Sequence, residues 1–403
     1  MSGSMRWTRG LCALAATSGL LVACAPAAEQ PEAPQPVVTP VNTAVAQPGA
    51  LPNAPAPLAP GAPACGDGAA LLAGMSARDK LAQLLMVGVS DAADARAVAD
   101  AHRVGGIMIA SWTDKSMLSD GSLAEIASSA TPLPLAVSVD EEGGRVSRLS
   151  GLIGAQPSAR ELAATSTPEQ VYGIARERGQ AMRRLGITID FAPVVDVTDA
   201  DASSVIGDRA FGSDPMTVTE YAGAYARGLR DAGVLPVLKH FPGHGSASGD
   251  SHAQGVVTPP LAELQERDLV PYRALTAQPP VGVMVGHMQV PGLTGSDPAS
   301  LSPAAYGLLR SGDYGGPGFN GPVFTDDISS MRAITDRYGV PDAALRALQA
   351  GADTALWVST AEVPAVLDRL EKALASGELS PSRVDQSVLR MAAVKGPSPL
   401  CGG

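Results

Sequence analysis

Three of the chain's five histidines fall within thirteen residues, in Lys239-His240-Phe241-Pro242-Gly243-His244-Gly245-Ser246-Ala247-Ser248-Gly249-Asp250-Ser251-His252. Imidazoles change charge near neutral pH, so such a cluster suits proton transfer or metal binding. No cysteine joins it, and Gly/Ser-rich spacing makes a poor rigid cage, which favours proton transfer with no metal ion. Asp250 stands one residue removed from His252, where a carboxylate can orient the imidazole and raise its basicity. A second motif, Val323-Phe324-Thr325-Asp326-Asp327-Ile328, ends an apolar run in paired acids. Consecutive residues leaving a strand point opposite ways, so one acid aims into a site. Asp326 is the candidate nucleophile, and Asp327 the residue that begins a helix near its positive end. The third motif is Asp140-Glu141-Glu142-Gly143-Gly144-Arg145-Val146-Ser147-Arg148. Asp140 and Arg148, joined by Arg209 from Ile206-Gly207-Asp208-Arg209, supply acceptors and donors suited to sugar hydroxyls or to structural ion pairs.

These motifs sit at the ends of short apolar runs. Eight runs read as strands, at 84–87, 106–110, 133–139, 187–190, 235–238, 282–285, 322–325 and 354–358. Helix signals separate them. Thr167-Pro168-Glu169-Gln170 has a capping threonine, a first-turn proline and a glutamine able to close a capping box. Val171, Ile174, Ala175, Met182 and Leu185 then share a face until Gly186 stops the helix. Ser380-Pro381 opens a late helix with Val384, Val388, Leu389 and Met391 on its buried stripe. Eight strands alternating with helices predict an α/β chain folded as a single (β/α)8 barrel, with the polar motifs at the strand C-termini where barrels place their sites. A doubly wound open sheet is the alternative, but no Gly-x-Gly-x-x-Gly follows the first strand. Trp112 and Trp357 lie near the motifs, available to stack on a sugar or to pack in the barrel.

The 403 residues carry a net charge of −11 with no Lys/Arg run, which excludes nucleic acid as an expected partner. Arg6 and Arg9 precede an apolar stretch from Leu11 to Ala23, too short to span a bilayer, with the form of a secretory signal peptide. Leu21-Val22-Ala23-Cys24 resembles a bacterial lipobox, which would lipidate Cys24 and hold the chain on the extracytoplasmic face of the cell membrane. Residues 25–64 hold eleven prolines and twelve alanines and cannot form a core. They read as a tether able to reach roughly 120 Å from its anchor at ~3.1 Å per residue. Three segments are therefore expected: a signal at 1–23, lipidated Cys24 with its linker at 24–64, and a catalytic barrel at 65–403. Cys65 and Cys401 bracket the barrel and are expected to pair in an oxidising compartment.

Lys-His-Phe-Pro-Gly-His-Gly with Asp-Ser-His, Asp-Glu-Glu-Gly-Gly-Arg-Val and Thr-Asp-Asp together resemble glycoside hydrolase family 3, specifically its β-N-acetylhexosaminidases. Asp190-Phe191-Ala192-Pro193-Val194-Val195-Asp196-Val197 and Pro298-Ala299-Ser300-Leu301-Ser302-Pro303 extend the resemblance over nearly the whole folded region. It implies a retaining exo-enzyme, with no metal or organic cofactor, that removes terminal N-acetylglucosamine from peptidoglycan-derived oligosaccharides, here as a monomer. By matched motif, Asp326 would be the nucleophile and His252 the acid/base with Asp250 as its partner. Asp140, Arg148, Arg209, Lys239 and His240 would bind the terminal sugar. The segment Ala350-Gly351-Ala352-Asp353-Thr354-Ala355-Leu356-Trp357-Val358 departs from the family pattern, which bears on packing. Larger relatives draw the acid from a second domain; no room for one follows strand eight, so the strand-five loop would deliver His252, swinging on Gly243, Gly245 and Gly249. Two rivals to this reading are a phosphorylase using the same residues and a sugar-binding lipoprotein without catalysis.

Overall fold

The computed structural model describes residues 67–130, 132–249 and 255–396. Eight parallel strands run in sequence order around a barrel: β1 Leu85–Val89, β2 Gly106–Ile109, β3 Ala136–Val139, β4 Ile189–Asp190, β5 Leu235–Phe241, β6 Gly282–Val285, β7 Val323–Thr325 and β8 Ala355–Trp357. β1 pairs with β8, Met86 facing Leu356, and a bridge from Phe324 to Thr354 links β7 to β8. The first and last strands are thus neighbours and the ring is nearly closed. The expected (β/α)8 barrel is the observed architecture, and every predicted run overlaps its strand.

Side-chain alternation explains why these runs are almost wholly apolar. Met86, Met108, Ile189, Phe191, Leu235, Val237, Met284, Phe324 and Leu356 point inward and fill the barrel. Their neighbours Val87, Ile107, Val137, Leu238 and Val283 pack outward into the helical layer. A strand covered on both faces has no solvated side to favour polar residues. Phe191 and Phe324 meet edge to face across the interior, 5.6 Å between centroids. Trp357 is fully buried, so of the two possible roles it packs. β8 holds its register despite the atypical segment around it.

The helix Pro168–Arg184 starts as its sequence dictates. Thr167 Oγ1 accepts from Gln170 N at 3.3 Å, and Gln170 Oε1 accepts from Thr167 N at 2.8 Å. The last helix, Pro381–Lys395, closes the N-terminal end of the barrel. Met391 enters the interior cluster, and Lys395 Nζ donates to Gln83 Oε1 at 2.9 Å and to Gly105 O. Burial lowers that ammonium to about 7. Asp353, fully buried just before β8, receives Arg310 at 2.6 Å and Arg383 and Arg390 each at 3.2 Å. The closed end is sealed, which leaves the C-terminal mouth for chemistry.

No helix among the described residues is long and apolar enough to cross a membrane. The signal, the tether, Cys24, Cys65 and Cys401 lie outside the described residues, as do Asp250 and His252.

Candidate active site

The β3 exit shows how the chain builds a site from a tight turn. Gly143 and Gly144 have φ of +88° and +54°, and a Cβ on Gly143 would stand 2.5 Å from Pro157 O. Only glycine permits that turn. It returns Val146 N to within 3.1 Å of Gly143 O, so Asp140, Glu141 and Glu142 are gathered beside Arg148. Glu141 is fully buried and accepts from Ser147 Oγ at 2.6 Å, Arg148 N at 2.7 Å, Leu149 N at 2.8 Å and Arg178 Nη2 at 2.5 Å. It holds the backbone that presents Arg148. The half-buried Arg148 guanidinium itself has no polar partner among the described residues.

A charged array spans the mouth from β3 to β5. Lys239 Nζ lies 2.5 Å from Asp140 Oδ1 and 2.6 Å from Glu142 Oε1. Glu142 also takes a two-pronged contact from Arg209, Nε to Oε2 at 2.7 Å and Nη2 to Oε1 at 2.8 Å. Burial pushes the Glu142 carboxyl up, but Arg209 and Lys239 outweigh it and hold the group far below the ordinary carboxylate range. Burial likewise works against the Lys239 ammonium, and Asp140 and Glu142 more than offset it. Arg209 is delivered by a loop that two other arginines pin. Arg145 Nε bonds Asp208 at 2.7 Å, and Arg160 donates to Ala200 O at 2.8 Å and Gly207 O at 2.7 Å.

β5 slips register against β6 between Leu238 and Phe241, the stretch that carries Lys239 and His240. Such irregularities re-aim side chains at barrel rims. His240 Nδ1 donates to Asp196 Oδ2 at 2.7 Å, which orients the ring with Nε2 3.5 Å from Arg209 Nη2. Asp196 is buried and also accepts from His244 N at 2.7 Å. Gly243 and Gly245, expected as hinges, also admit close neighbours. A Cβ on Gly243 would lie 2.4 Å from Asp268 Cβ, and one on Gly245 only 2.1 Å from Val197 O.

Asp326 stands half-buried at the end of β7, its N–H bonded to Val285 O at 3.0 Å. Burial raises its carboxyl pKa, but His240, His287, the Asp327 N–H and Lys239 together bring it below the usual range. An ionised carboxylate at this position can attack an electrophilic carbon. Asp327 is turned to structure, though it opens a turn over residues 328–330 and not the expected helix, the next helix starting at Arg332; its Oδ1 accepts from Ser329 N at 2.8 Å and Ser329 Oγ at 2.7 Å.

The structure therefore brings Asp140, Arg209, Lys239 and His240 together with Asp326 into one mouth, with Arg148 on the adjoining turn. Four residues that the sequence reading did not single out complete it: Glu141, Glu142, Asp196 and His287. His287 Nε2 donates to Asp327 O at 2.8 Å, and its Nδ1 accepts from Ser300 Oγ at 2.6 Å. The signal for His287 was a histidine two residues beyond an apolar strand. For Asp196 it was an acid ending the apolar run 191–195.

Comparison with known proteins agrees with this architecture. The model of the glycosyl hydrolase family 3 N-terminal domain matches residues 76–394. β-Hexosaminidase LpqI of Mycobacterium tuberculosis strain H37Rv is 63% identical over 400 residues, covering 99% of this chain and 100% of that protein. The solved structure of M. tuberculosis LpqI aligns with a TM-score of 0.82 at 68% identity, over 84% of this chain and 100% of that one. A β-N-acetylglucosaminidase of family 3 from Paenibacillus sp. str. FPU-7 aligns with a TM-score of 0.75 at 35% identity, over 80% of this chain and 62% of that one. With the family model spanning the whole barrel, this chain belongs to glycosyl hydrolase family 3.

Proposed function

We propose that the enzyme is a retaining β-N-acetylglucosaminidase that removes terminal N-acetylglucosamine from peptidoglycan fragments, held by lipid on Cys24 at the extracytoplasmic face of the membrane. The carrying observation is Asp326, a carboxylate kept ionised beside the Asp140, Lys239, Glu142, Arg209 array. The names of LpqI and of the Paenibacillus enzyme support the sugar.

In this reading the hydroxyls of the terminal sugar meet Asp140, Arg148, Arg209, Lys239 and His240. Asp326 attacks the anomeric carbon as the bond to the leaving oxygen breaks, and His252 gives that oxygen its proton. The product of this step is a glycosyl ester on Asp326. Water then attacks the same carbon, passing a proton back to His252 and releasing the Asp326 carboxylate. Asp250 orients the imidazole throughout. An ordinary imidazole pKa of about 6.5 lets one group do both tasks near neutral pH. The negative side chains at the mouth also suit the positive charge that builds on the sugar ring.

The test is product analysis on defined peptidoglycan fragments and on chitobiose, with and without inorganic phosphate. Free N-acetylglucosamine, released first as the β-anomer and independent of phosphate, is expected from both. N-acetylglucosamine 1-phosphate would overturn hydrolysis in favour of phosphorolysis. Cleavage of chitobiose alone would overturn the peptidoglycan assignment.

A further inference from the structure

The mouth carries a second concavity, on the side opposite the charged array. Loops after β1, β2 and β8 enclose a groove of about 430 Å³ whose walls include Ser90, Asp91, Asp94, Trp112, Ser359 and Thr360. Trp112 is 56% exposed. An indole offers a large, rigid apolar face with a polar N–H at its edge, a pairing suited to a binding surface.

The groove is held in shape. Thr113 Oγ1 donates to Val89 O at 2.6 Å and accepts from Ala110 N at 2.9 Å, and Asp114 N donates to Ser90 O at 2.7 Å. Trp112 therefore rides on a braced turn. The facing wall is tied through Asp94, whose Oδ1 accepts from Thr360 Oγ1 at 2.6 Å and whose Oδ2 accepts from Ser90 N at 2.9 Å. At the floor a Cβ on Gly88 would come within 2.8 Å of Val358 Cα, so glycine lets the β1 and β8 backbones close up. A site already formed loses little freedom on binding.

An aromatic plane beside hydroxyls and carboxylate oxygens matches a pyranose, whose C–H face stacks on the ring while its hydroxyls bond the polar rim. The rim also continues to the reacting strand. Val358 N donates to Ser329 Oγ at 3.2 Å, and Ser329 Oγ donates to Asp327, the residue after Asp326. Trp112 follows β2, three strand spacings around the rim from β7, about 14 Å. One sugar does not cover that distance; an oligosaccharide does.

We propose that this groove is a distal subsite that binds a sugar of the leaving chain by stacking on Trp112, so that the enzyme favours oligosaccharides over disaccharides. This rests on the N-acetylglucosaminidase reading above, extending it from the terminal sugar to the rest of the substrate.

Full-length protein and its Trp112→Ala variant can be compared on an aryl N-acetylglucosaminide, chitobiose and chitotetraose. The variant is expected to lose about five- to tenfold in kcat/KM on chitotetraose, mainly through KM, with the other two substrates unchanged. In an Asp326→Ala background, calorimetry should find chitotetraose bound several-fold more tightly than chitobiose, and Trp112→Ala should erase that preference. Equal losses on all three substrates, or no loss on any, would overturn the subsite. If the wild type fails on the aryl glycoside, the activity reading is the one that falls, while the calorimetric comparison still decides the groove.

Discussion

Asp327 donates its backbone N–H to Oδ1 of Asp326 at 2.9 Å, so two consecutive acids divide the work of one turn. The first is left facing the mouth; the second spends its carboxylate on Ser329 and Ser330. Asp326→Ala should abolish turnover of every substrate, and a 2-fluoro sugar probe should label Asp326 alone. Asp327→Ala should cost about 1 kcal/mol of stability, the usual net value of a side-chain hydrogen bond, here one that holds a turn. Peptide mapping that places the label on Asp327 would reverse the assignment.

Glu142 neutralises Lys239 and Arg209 at once. Glu142→Leu leaves two buried cations without their shared partner and should destabilise by about 3–5 kcal/mol in urea unfolding. Glu142→Gln keeps the shape and half the acceptor capacity, so it should fold better while still raising KM. A Glu142→Leu protein as stable as the wild type would show that the array does not bear on the fold.

Asp268 lies under the start of the β5 loop, 2% exposed, with Oδ1 lacking a partner among the described residues. Burial, helped by the Asp196 carboxylate, raises its pKa from 3.8 to about 7. The folded state then holds a proton that the unfolded state has lost between those values. Stability from this group is complete below pH 4 and declines as pH rises through about 7. Melting curves from pH 4 to 8 should show that decline, on the order of a few kcal/mol. Asp268→Asn should flatten it, and an unchanged slope would point to another group.

His252→Ala should depend on the leaving group. An activated aryl glycoside departs with little protonation, so its glycosylation should suffer far less than that of a natural oligosaccharide. Asp250→Ala should resemble a milder form of the same loss, because it removes orientation and leaves the proton carrier. Equal losses on both substrate types would remove His252 from the acid role.

Cys24→Ala should release the protein from the membrane fraction or leave its signal uncleaved. Fractionation of cells expressing the two forms checks this. Normal processing with unchanged membrane retention would end the lipoprotein reading.

Much of the molecule was legible from local pattern. A barrel strand covered on both faces must be apolar throughout, and helices between strands must carry one apolar stripe, so eight strands and their order could be read from residue type alone. Asp140, Lys239, His240 and Asp326 were legible because polar residues ending such runs have only the barrel mouth to occupy. Glu142, Asp196 and His287 were not singled out, because their importance lies in partners distant in sequence: Arg209 is 67 residues from Glu142, and His240 is 44 from Asp196. The packing role of Gly243 and Gly245 was hidden for the same reason, since a glycine that frees a loop and one that admits a close neighbour look identical in one dimension. Asp326 and Asp327 could be told apart in principle by strand geometry and by the serines at 329 and 330 that bind Asp327, but only the fold brought His240 and His287 to Asp326. Chain-local chemistry determines which elements form; closing the barrel decides which charges meet, because only closure brings the ends of β3, β5 and β7 to one face.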